Sequence, residues 1–116
     1  MSLALPGCAT FLGRGKRDYA QGLYLQASEE FAQHEEDVPY LSPSAQVDYG
    51  LYRGLSLMNL GDARGAHRWL AFANQVEKDN PGSMRPAQRL EIERAITKLT
   101  HGTAQPGEAL VEPPVR

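Results

Sequence analysis

The sequence predicts an all-α fold in which antiparallel helix hairpins stack side by side and a C-terminal capping helix closes the stack. Three observations carry this. Residues 42–81 read as two helices folded back at Leu60-Gly61-Asp62. The same plan of helix, glycine turn and helix stands upstream around Gly22, and Met84-Arg85-Pro86 announces a further helix.

At the start of the chain, Leu3-Ala4-Leu5-Pro6-Gly7-Cys8 resembles the lipobox of bacterial lipoproteins, in which a small residue precedes a cysteine that becomes lipidated. Cys8 is the lone cysteine, so the chain forms no internal disulfide. The residues ahead of it are fewer than a signal peptide of about 15 to 30 needs. Met1-Ser2-Leu3 therefore reads as an added start behind which the native signal has been cut away, and residues 1–10 as a leader remnant or lipidation segment. The alternative is an ordinary thiol in a cytosolic protein.

The folded domain is expected over residues 11–100. Arg14 to Gln21 can form a short helix, with Gly13 and Gly15 weakening its start, because glycine inside a helix costs about 1 kcal/mol relative to alanine. Ala27 and Phe31 stand four apart and share one face of the next helix, a small residue beside a ring. Glu29, Glu30 and Gln33 are expected in water. The acidic run Glu35-Glu36-Asp37 opposes a helix C-terminus, which predicts fraying near His34 before Pro39 stops the helix.

In the hairpin, the Ser42 hydroxyl can accept an orphan backbone N–H, and Pro43 fits the first helical position because it lacks a donor. Gly61 can take the left-handed conformation that ends a helix, and Asp62 can cap the next. Leu51, Leu55 and Met58 form one stripe of the first helix; Gly50, Gly54 and Leu57 form another. Two glycines four apart predict close approach by a neighbour, with Ala66 and Ala73 as small partners and Trp69, Leu70 and Val76 as bulk. Pro81-Gly82 ends the second helix.

Tyr19-x-x-Gly22-x-Tyr24-x-x-Ala27-x-x-x-Phe31 with Pro39 beyond it resembles the tetratricopeptide repeat (TPR), which pairs two antiparallel helices in about 34 residues. Met58-x-x-Gly61-x-Ala63-x-x-Ala66-x-x-x-Leu70 is a looser second copy, without the aromatic after the alanine. The resemblance implies a short TPR-like α-α superhelix. Met84 to Gln88 opens the third echo, a helix to Thr100 with Ile92, Ile96 and Leu99 on one stripe and an Arg89–Glu93 pair on its wet side, suited to capping a repeat stack. Residues 101–116 lack helical period and carry three prolines, which reads as a flexible tail or a short binding motif.

Chemistry is sparse. The net charge of −2 disfavours a nucleic-acid partner, since phosphate binding relies on clustered lysine and arginine. Glu30 and His34 stand one turn apart without a third ligand, and Glu35-Glu36-Asp37 lacks the spacing of a calcium loop, so neither predicts a metal. His67 reads as a half-exposed packing residue. No nucleophile elbow, phosphate loop or His-Glu-x-x-His motif occurs, so the expectation is a protein that is not an enzyme and needs no cofactor.

What remains is a surface. TPR proteins bind a peptide or partner helix on the concave side lined by their first helices. Carried over residue by residue, this places Tyr19, Asp48, Leu51, Leu55, Met58 and Asn59 at a protein-binding face, with Leu51, Leu55 and Met58 alternatively core beneath the neighbouring helices. The implied function is that of an adaptor, a bacterial envelope lipoprotein on the periplasmic side assisting assembly of a larger complex, its membrane attachment through lipid alone. Alternatives are a cytosolic TPR-like chaperone for a secreted protein and a structural lipoprotein that self-associates. Two repeats and a cap fall short of the three or more units that stabilise such stacks, which motivates homo-oligomer formation.

Overall fold

The computed structural model describes the backbone of residues 4–102 and the side chains of residues 11–101. Five α-helices follow one another: α1 (Ala4–Ala20), α2 (Tyr24–Gln33), α3 (Pro43–Asn59), α4 (Ala63–Asp79) and α5 (Pro86–Gly102), with a 3-10 segment at Glu35–Tyr40 between α2 and α3. No strand occurs among the described residues. The fold is all-α, with α1 and α2 forming one hairpin, α3 and α4 a second, and α5 lying against both helices of the second.

The local signals act where the sequence places them. The Ser42 hydroxyl accepts from the Ala45 amide at 3.2 Å, with Pro43 as the first helical residue. Gly61 ends α3 at φ +87°, and the Asp62 carboxylate accepts from the Gly65 amide at 2.9 Å to start α4. The predicted close approach is present along the whole hairpin. A methyl at Gly50 would come within 2.7 Å of the Trp69 carbonyl oxygen, and one at Gly54 within 2.7 Å of Leu70 Cγ.

Helix α3 is the shared wall of two cores. On one side Tyr49 joins Phe11, Leu12, Ala27, Phe31, Val38 and Trp69, with its ring edge-on to Phe31 at 5.4 Å and to Trp69 at 5.3 Å. On the other side Val47, Leu51 and Leu55 pack with Leu70, Ala73 and Val76 of α4, with Met84, and with Ile92 and Ala95 of α5. The two stripes read from the sequence are thus covered by different neighbours, the glycines by α4 and the leucines by α4 and α5 together.

Several expectations need correction. Helix α1 begins at Ala4, far ahead of Arg14, and its buried anchors are Phe11 and Leu12. Gly15 lies inside this helix, not at its start, and admits the Phe31 ring, which a Cβ at that position would overlap. Glu30 is not simply in water, because Arg14 donates to it at 2.6 Å. Helix α2 ends at Gln33, but the chain does not fray: Glu35–Tyr40 continues as a 3-10 turn through Pro39, its acidic residues now at an N-terminus where the dipole favours them. Arg89 reaches Glu77 at 3.3 Å instead of pairing with Glu93. Cys8 falls within α1, but its side chain lies outside the described ones, as does the tail at 103–116, so the lipidation and tail readings rest on the sequence alone.

Candidate functional site

The three helices α1, α3 and α5 run in the same direction and share one side of the molecule. Their lower halves are fastened together by Asp48: Oδ2 accepts from Lys16 Nζ of α1 at 3.2 Å, and Oδ1 accepts from Gln88 Nε2 of α5 at 2.6 Å. Gln88 is buried, and its own carbonyl accepts from the Arg85 amide at 2.9 Å, so the amide is satisfied at both ends. Asp48, expected at a binding face, is therefore an internal tie.

Beyond this tie a cleft of about 180 Å³ lies between the helices. Its floor is Leu55 and Met58 of α3 and Ala95 of α5, and one flank is Tyr19 in the last turn of α1. The opposite flank is charged: Glu91, Arg94 and Lys98 stand at helical spacing with Ala95 on one face of α5. Tyr19 is held by the rings of Tyr24 and Tyr52, both at 5.5 Å. Burial, and then the Glu91 carboxylate and the two neighbouring phenols, push its hydroxyl above the ordinary tyrosine pKa. It stays neutral at physiological pH and offers the cleft an aromatic wall with one hydrogen-bonding group.

Of the six residues read from the sequence as partner-binding, the structure brings Tyr19, Leu55 and Met58 to this cleft. Leu51 is 1% exposed and belongs to the core under α5, and Leu55 contributes only its 3% exposed edge to the floor. Asn59 is exposed and turns its amide back onto the Leu55 carbonyl at 2.9 Å, dressing the end of α3. The charged flank from α5 was missed. The i, i+3, i+7 spacing of Glu91, Arg94 and Lys98 was visible, but it reads equally as a solvated face until α5 is placed against α3.

A wider depression of about 450 Å³ lies between the start of α4 and the end of α5, with His67 exposed in its wall beside Arg64. It is walled by two helices, with Leu99 reaching from it to the core, whereas the three-helix cleft draws its lining from α1, α3 and α5. Elsewhere several charged side chains are engaged with one another. His34 stacks on Phe11 at 4.3 Å and contacts Asp37 at 3.1 Å, while Arg53 donates to Glu35 at 2.9 Å and lies over the Trp69 ring at 4.5 Å.

Comparison with protein-family models, with curated proteins and with solved structures returns no match.

Proposed function

We propose that the chain is a non-enzymatic adaptor that receives a segment of a protein partner in the cleft between α1, α3 and α5. The observation that carries this reading is the combination of an apolar floor (Leu55, Met58, Ala95) with a charged flank (Glu91, Arg94, Lys98) at the mouth of three parallel helices. An apolar pocket provides affinity through buried area, and charges at the rim select and orient what enters it. The TPR resemblance of the two hairpins supports the same reading, since that family uses its first helices in this way. The lipobox-like run ending at Cys8 extends it to an envelope lipoprotein that helps assemble a larger complex. These finer points rest on resemblance.

The test is site-specific photocrosslinking in native cells, with the probe placed at Met58 or Lys98 and, as a control, at Gln75 on the exposed side of α4. The expected result is one protein adduct at both cleft positions that is absent at Gln75 and lost in Arg94→Glu. Equal labelling at Gln75 would remove the cleft from consideration. Mass spectrometry of the native protein addresses the anchor: an unmodified Cys8 in a chain still carrying its leader would end the lipoprotein reading.

A further inference from the structure

The cleft opens beside the end of α5, where the chain leaves the described residues, and the sequence that follows is complementary to it. Residues 108–112 read Glu-Ala-Leu-Val-Glu, three apolar residues between two carboxylates. The cleft presents Met58, Leu55 and Ala95 beside two cations, Arg94 and Lys98, with the Glu91 carboxylate further back along α5. Resting on the reading of this cleft as a docking site, we propose that residues 108–112 of the same chain occupy it and compete with the partner.

The reach is sufficient. Lys98 and Arg94 lie about 6 Å and 12 Å back along α5 from Gly102, at 1.5 Å per helical residue. The intervening residues 103–107 can span about 17 Å when extended. The size also fits. An apolar cavity of about 150 Å³ accepts a benzene-sized group, so a cleft of about 180 Å³ takes the Leu110 side chain. Glu108 then faces Lys98, the nearer cation, and Glu112 faces Arg94. A second copy of the chain carries the same run, but a short tether holds the cis segment at an effective concentration of roughly millimolar, far above that of a separate chain in solution. The cis segment therefore wins even when the contact is weak.

The experiment uses the full chain in a Cys8→Ser background, with a nitroxide attached through Val115→Cys and read by NMR. The Met58 methyl and the Ala95 and Lys98 amides are expected to lose intensity strongly, the Gln75 amide to keep it, and the pattern to be unchanged on dilution. Adding Glu108→Lys and Glu112→Lys to the labelled chain should restore the cleft signals, and in the crosslinking assay the same pair should raise partner labelling at Met58. Helical circular dichroism checks that this variant stays folded. Cleft signals no weaker than that of Gln75 would overturn the proposal, and so would a loss that fades on dilution, which would assign the occupant to a second copy. Retained partner crosslinks at Met58 with no effect of the nitroxide would overturn the tail assignment alone and leave the adaptor reading in place.

Discussion

The ring of Phe31 on α2 lies against the backbone of Gly15 on α1, in a space that any side chain at that position would fill. Phe31 cannot retreat, because it is fully buried and its ring meets Tyr49 edge-on at 5.4 Å. Helix propensity and packing therefore oppose each other at Gly15. Alanine would gain about 1 kcal/mol as a helix former but overpack the hairpin by about 1–3 kcal/mol. Gly15→Ala is expected to destabilise the fold in urea titration. Gly13→Ala, two residues earlier with nothing within 4 Å of the added carbon, is expected to stabilise it by up to about 1 kcal/mol. Equal effects would show that Phe31 yields freely.

A second glycine comparison separates backbone from side-chain obstruction. At Gly50 a methyl meets the Trp69 carbonyl at 2.7 Å, which moves only if α4 moves; at Gly54 it first meets the Leu70 side chain. Gly50→Ala is expected to cost about 1–3 kcal/mol and more than Gly54→Ala, measured by the shift in denaturation midpoint at constant slope.

Asp48→Ala removes the acceptor that Lys16 and Gln88 share. Lys16 is partly exposed and turns to water, but the buried Gln88 amide is left without its partner, a loss of about 1–3 kcal/mol. Hydrogen exchange in the first turns of α5 is expected to rise more than exchange in α1. The reverse order would mean that Lys16 carries the tie.

The α4–α5 connection is organised by Glu77, whose carboxylate accepts from the amides of Met84 at 2.8 Å and Gly82 at 3.2 Å and from Arg89 at 3.3 Å. The Gly82 and Met84 amides, with help from Arg89 and the Ser83 hydroxyl, hold its pKa below the ordinary glutamate value. The folded state thus prefers the ionised form. Its stabilising effect is complete above the ordinary glutamate pKa of about 4.3 and is lost as pH falls through the lower folded value. The melting temperature of wild type should exceed that of Glu77→Gln at neutral pH, and the gap should close under acid. A gap constant down to the acid limit would remove the carboxylate from this role.

Tyr49→Phe tests the polar seam between the hairpins. The Tyr49 hydroxyl donates to the Phe31 carbonyl at 2.5 Å and accepts from Arg53 at 3.0 Å. Removing it is expected to cost about 1–2 kcal/mol. A double-mutant cycle with Arg53→Met should show coupling, since the two side chains share one bond; strict additivity would contradict this.

The elements legible in the sequence were those with local causes. Ser42, Gly61 and Asp62 act within a few residues of themselves, so their hydrogen bonds follow from spacing. The Gly50 and Gly54 stripe was also legible, because its partner is the next helix along. Gly15 was misread because the reason for it, Phe31, sits on another helix and nothing in α1 announces the contact. Part of the candidate site was reached from the sequence by another route: Tyr19, Leu55 and Met58 came from the TPR resemblance, whereas Arg94 and Lys98 acquire meaning only when α5 settles beside α3. Glu77 was invisible because its partners are loop amides, which every sequence supplies alike.

One carboxylate, Asp48, links the first and last of the three parallel helices to a common point on the middle one. A single side chain on the middle helix thereby sets the register of both outer ones, and the floor of Leu55, Met58 and Ala95 inherits its alignment from bonds made about two to three turns away along the helices.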